Sequence, residues 1–76
     1  MELDTNKIDD AVLALLVLGL HDEGRAWKGH DWDAMERLYE KGLIGNPRGK
    51  AKSVAFTKDG HEHAERLLEE LFAKKT

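Results

Sequence analysis

Cysteine is missing from all 76 residues, serine and proline occur once each, and the apolar runs are short. Without cysteine there is no disulfide, no thiolate metal ligand and no sulfur nucleophile. The lone serine, Ser53, has no histidine near it in sequence and none of the flanking glycines of a nucleophile elbow. The glycines are scattered as caps and turns, without phosphate-loop or dinucleotide-binding spacing. No enzymatic activity and no cofactor are expected from such a set. The longest apolar stretch, Ala11 to Leu20, falls short of the about 20 residues that cross a bilayer. The acidic opening MELDTNKIDD lacks the basic start of a signal peptide, so the expected location is the cytoplasm.

What is present fits one domain, residues 1–76, near the lower size limit for folding without staples. A chain this short buries only about 60% of its unfolded surface, which favours a homodimer on general grounds. The net charge of −3 argues against a general nucleic-acid binder. The average conceals a split. Lys41, Arg48, Lys50, Lys52 and Lys58 lie in a stretch with no acid, while the remainder carries seven basic against fifteen acidic residues.

Hydrophobic spacing and caps divide the chain into three helices and a hairpin. The first helix is expected from about residue 6 to 21, with Asp4, Thr5 or Asn6 as N-cap and Asp9 and Asp10 near its positive end. Ile8, Val12, Leu15 and Gly19 form one stripe; Leu13, Leu16, Val17 and Leu20 form a second. A helix apolar nearly all round must be sheltered on most sides. The second stripe is therefore assigned either to the interior or, as the preferred reading, to an isologous dimer interface. Arg25–Ala26–Trp27 suits a short strand. A second helix spans about 32–41 behind the cap Asp31, with Gly42 as its C′ residue. Residues 43–57 read as a hairpin with a basic tip around Gly45–Gly49, and Thr57 caps a last helix over about 58–74. That helix has a clean apolar stripe of Ala64, Leu67, Leu68, Leu71 and Phe72.

Two segments carry a resemblance. LYEKGLI (Leu38 to Ile44) and VAFTKDG (Val54 to Gly60), joined by the basic hairpin, resemble the helix–wing–helix part of bacterial winged-helix regulators. There a Gly-Leu-Ile-type turn ends the helix before the wing, and a Thr-x-x-Gly motif opens the next helix. The likeness covers roughly Asp31 to Phe72 and implies an α+β, mostly helical, reduced winged-helix-like domain: three helices plus a small hairpin sheet. The whole chain also resembles a family of short uncharacterised bacterial proteins, a domain of unknown function, which share its HDxGRAWKG and KAKS stretches. No activity follows from that. Two departures matter. Residues 22–30 are too few for the helix that precedes a recognition helix, and the helix at 32–41 would present Asp33, Glu36 and Glu40 to phosphates.

Four features remain as candidates. Arg48, Lys50, Lys52 and Lys58 form the expected nucleic-acid surface, contacting phosphates as a wing does; the bland alternative is a solvated loop. Trp27 and Trp32 flank Lys28–Asp31 and suit a stacking platform, but so small a domain is expected to use both rings as core plugs. The four histidines do not suggest a metal site. On a helix His61 and His63 point about 200° apart, and His61 suits a surface pair with Glu65. The leading expectation is a non-enzymatic, dimeric interaction module with a regulatory role; the alternative is a DNA-binding regulator working through the basic wing.

Overall fold

A computed structural model describes residues 1–21 and 24–74. Helix α1 (Thr5–Leu18) starts where Asp4 accepts a hydrogen bond from the Lys7 amide. It ends three residues earlier than the hydrophobic pattern implied. Gly19 closes it, and Leu20–His21 become a short strand, β1, paired antiparallel with β2 (Arg25–Trp27). Gly24, at φ +86°, supplies the left-handed residue of the connection.

Helix α2 (Trp32–Glu40) starts at Asp31, whose carboxylate accepts from the Ala34 amide at 3.0 Å. It finishes as the Lys41–Gly42 pattern indicated. Gly42 has φ +76°, its amide reaches the Tyr39 carbonyl, and the Leu43 amide reaches that of Leu38. Strand β3 (Ser53–Ala55) then forms its ladder with β2, through Arg25↔Ala55, Ala26↔Val54 and Trp27↔Ser53. The two arms of the 43–57 segment meet at one bridge, Ile44↔Phe56, supported by the Gly45 amide on the Ala55 carbonyl. The sheet order is β1-β2-β3, so the strand before α2 occupies the centre.

Thr57 opens α3 (Lys58–Phe72), accepting from the Gly60 amide at 2.9 Å. Its hydroxyl also donates to the Gly42 and Leu43 carbonyls. The Thr-x-x-Gly motif thereby acquires a packing reason. A Cβ on Gly60 would overlap the Leu43 carbonyl oxygen and lie 2.6 Å from its carbon, so only glycine lets α3 rest on the turn after α2. The result is an α+β domain of three helices and a three-stranded antiparallel sheet.

The core joins Val12, Leu13 and Leu16 of α1 to Met35 and Leu38 of α2, Ala26, Ile44 and Val54 of the sheet region, and Ala64 and Leu67 of α3. This corrects the reading of Leu13 and Leu16 in the second α1 stripe as a partner surface. Leu13 and Leu16 are buried by the chain itself, while Val17 and Leu20 are half-buried. The apolar residues that α1 leaves outside are Leu15 and Leu18. A second correction concerns α3: Ala64 and Leu67 of its stripe reach the core, but Leu71 and Phe72 are exposed.

One ionic cluster fastens α1 to α2. Arg37 grips both oxygens of Asp9, its Nε lying 3.0 and 2.9 Å from them, and Lys41 Nζ adds a contact at 2.9 Å. Asp9 is fully buried. Burial alone would push its carboxyl up, but hydrogen bonds and charge from Arg37 and Lys41 outweigh that and hold it below the ordinary value.

Candidate functional site

Two surfaces stand out, one polar and one apolar. The polar one is the basic loop and the sheet edge behind it. Pro47 is buried and anchors the loop from inside. Lys28, at the end of β2, reaches across with its ammonium to the Pro47 carbonyl at 2.7 Å and the Gly49 carbonyl at 3.0 Å. Its amide also donates to the Lys52 carbonyl. The Asn46 side chain accepts from the Arg48 amide at 2.9 Å, shaping the turn. Lys28 thus organises the loop, a role that sequence inspection missed; its signal was a lone cation between Trp27 and Gly29.

The expected phosphate-contacting residues do not form one cluster. Arg48 is clamped by Glu36 of α2, Nε to Oε1 at 2.7 Å and Nη2 to Oε2 at 3.1 Å. The hydrogen bond to Glu36 and its negative charge raise the guanidinium pKa further. An acid thought to repel phosphates thus holds the loop arginine instead. Lys50 and Lys52 are exposed, and among the described residues neither has an ion-pair partner. Lys58 opens α3 at the far end of an extended run. At about 3.3 Å per residue, that run places it well over ~10 Å from Lys52.

The tryptophans are not core plugs. Trp27 and Trp32 are 56% and 50% exposed. Inward-facing Ala26 and Val54 pair across β2 and β3, which puts Trp27 and Ser53 together on the outer face. Arg25 shares that face, its guanidinium donating to Ser53 Oγ and to the Ser53 carbonyl, both at 2.8 Å. His21 packs against Trp27 with ring centroids 4.5 Å apart and ring planes tilted by 34°. Trp27, Lys28, Gly29, Trp32 and Lys52 together line an open, mainly apolar dish of about 430 Å³.

The apolar surface lies where α1 and α3 end. Val17, Leu18, Leu68, Phe72 and Ala73 line an open groove of about 720 Å³, with Glu65 and Glu69 on its border. Leu18 is 71% exposed and Phe72 49%. The histidines stay dispersed. His61 meets Glu65 at 3.0 Å as an i,i+4 pair, His63 meets Arg66 at 3.2 Å, and among the described residues no three side chains are grouped to hold a metal.

Comparison with known proteins adds kinship but no activity. A family model described as Domain of unknown function (DUF6429) matches residues 4–74. A relative from Sinorhizobium fredii (strain NBRC 101917 / NGR234), described as uncharacterized protein y4hR, is 53% identical over 74 residues, covering 97% of this chain and 100% of its own length. No solved structure gives a significant match. Among the described residues no helix is long and apolar enough to cross a membrane.

Proposed function

The chain belongs to the DUF6429 family, a domain of unknown function, and from that premise we propose a non-enzymatic interaction module that works as a homodimer in the cytoplasm. The observation that carries this reading is the groove at the ends of α1 and α3. A domain with so little apolar material leaves Leu18 and Phe72 wet on one face. Apolar area gains about 25 cal/mol per Å² when covered, and contiguous exposed apolar patches mark interaction sites.

A second copy is the occupant that fits. If two α3 helices cross antiparallel about a two-fold axis near Glu69–Glu70, Leu68 and Phe72 of both meet at the centre.

Sedimentation equilibrium of the wild-type chain should give twice the 8.6 kDa chain mass. Leu18→Glu with Phe72→Glu should give monomer with unchanged far-UV circular dichroism. A wild-type chain that stays monomeric at about 0.1 mM, a concentration at which interfaces of micromolar affinity are saturated, would refute the reading.

Exposed Lys50 and Lys52 favour a second reading, a duplex-DNA regulator working through the loop. With Arg48 held by Glu36 and Lys58 remote, few phosphates are within reach, so binding would fall away steeply with salt. A mobility shift with duplex DNA at low salt, abolished by Lys50→Glu with Lys52→Glu, would support it.

A further inference from the structure

We propose that the dish between Trp27 and Trp32 binds single-stranded nucleic acid, with an unpaired base stacked against Trp27 and the adjoining phosphates on Lys50, Lys52 and Lys28. The dish shares no lining residue with the groove of the proposed dimer, so the two readings stand independently. Its first support is the lining, which consists of two indoles, two lysines and a glycine, with no acid. An aromatic floor with two lysines beside it complements a planar ring attached to an anion, and every base has such a π-face.

Rigidity is the second support. His21 packs tilted against Trp27, β3 pairs beside it, and the Lys28 ammonium is held by two carbonyls. Ammonium has three donors, so one N–H of Lys28 remains for a phosphate while the other two hold it in place. Lys52 stands next to it across the strands, through the Lys28 amide on the Lys52 carbonyl. A platform that does not need to reorganise loses less on binding.

The same geometry selects against duplex DNA. Bases in a duplex are stacked on one another and show the protein only their edges, so the indoles would have nothing to receive. The uncommitted cations, Lys50 and Lys52 with one donor of Lys28, suit two or three phosphates of a short flexible strand rather than a long rigid duplex face.

The experiment follows intrinsic tryptophan fluorescence, and the anisotropy of labelled oligo-dT and oligo-U of about 12 nucleotides, within the usual range for one such module. Duplex DNA of equal length and a poly-glutamate peptide serve as comparisons. At low salt the single strands should quench the fluorescence and raise the anisotropy, with duplex and poly-glutamate clearly weaker. Trp27→Ala should weaken binding about tenfold, the size expected for losing one stacked base. Trp27→Phe should largely restore it. Lys50→Glu with Lys52→Glu should abolish it, and the Leu18→Glu, Phe72→Glu chain should bind like wild type. Absence of binding at low salt would overturn the proposal. So would duplex or poly-glutamate binding as tight as the single strands, or a Trp27→Ala chain, folded by circular dichroism, that binds unchanged.

Discussion

Leu13 and Leu18 stand on the same helix, yet Leu13 is wrapped by α2, α3 and the sheet while Leu18 projects into solvent beside Phe72. The difference follows from what each end of α1 has for neighbours. Toward its start, α1 meets α2, and Asp9 closes that contact with Arg37 and Lys41. Midway it lies along α3, which Gly60 brings down onto the Leu43 turn. At its finish the chain leaves into β1, α3 runs on, and among the described residues no further element covers Leu18 and Phe72. One end is a closed core; the other is half of one. Equal hydrophobicity in a sequence therefore does not mean equal burial.

The sharpest way to break this contrast is at its hinge. Gly60→Ala places a methyl group on the Leu43 carbonyl and should cost about 3 kcal/mol or more, the upper range for overpacking, despite alanine's better helix propensity. A large fall in the urea midpoint would establish that this contact seals the closed end. A shift under about 0.5 kcal/mol, the noise of ordinary surface changes, would show that the seal is elsewhere.

A matched pair sharpens the contrast directly. Leu13→Ala removes core volume and should lose about 3 kcal/mol, whereas Leu18→Ala should change monomer stability by less than about 0.5 kcal/mol. Both are read from denaturant unfolding at concentrations low enough to exclude association. Similar losses at the two positions would mean that the open end is closed in solution.

Asp9→Asn comes next, at about 2 kcal/mol, less than for a wholly buried triad because Arg37 and Lys41 remain 30% and 40% exposed. The sign with pH follows from the direction of its shift. A carboxyl held below its ordinary value in the folded state contributes its full stability above the unfolded pKa of about 3.9 and loses it as pH falls through the lower folded value. Wild type and Asp9→Asn should therefore converge in acid and separate toward neutrality. Parallel curves across that window would remove Asp9 as the source.

Arg48→Ala should have the smallest effect, leaving the unfolding midpoint unchanged, because its pair with Glu36 is largely solvated on the arginine side. Its consequence should appear instead in the loop, as faster amide exchange across residues 46–50 (a protection pattern identical to wild type would count against the clamp).

Caps and periodicity were legible because they are local. Asp4, Asp31 and Thr57 cap their helices because a short acceptor side chain next to unsatisfied amides works wherever the helix lies. Gly42 could be read as a terminator for the same reason. The strand at 25–27 was legible as well. Its central place in the sheet was not, since the 43–57 turn chemistry pointed to a local partner and the ladder instead went to a segment some 28 residues away. Of the candidate site, the loop lysines were evident from charge alone. The aromatic dish is not legible in the sequence, because a shortage of apolar residues argues for both indoles inside while the fold leaves them exposed.

Composition and order thus determined the three helices, their capping residues and the one stretch that holds basic residues without acids, all of which depend on neighbours within a few positions. Burial was decided only by assembly. Whether Leu13 or Leu18, Trp27 or Met35 is covered depends on which surfaces meet across the fold, and whether Arg48 is available depends on a glutamate from another helix. Distance in space sets those outcomes, and spacing along the chain does not encode it.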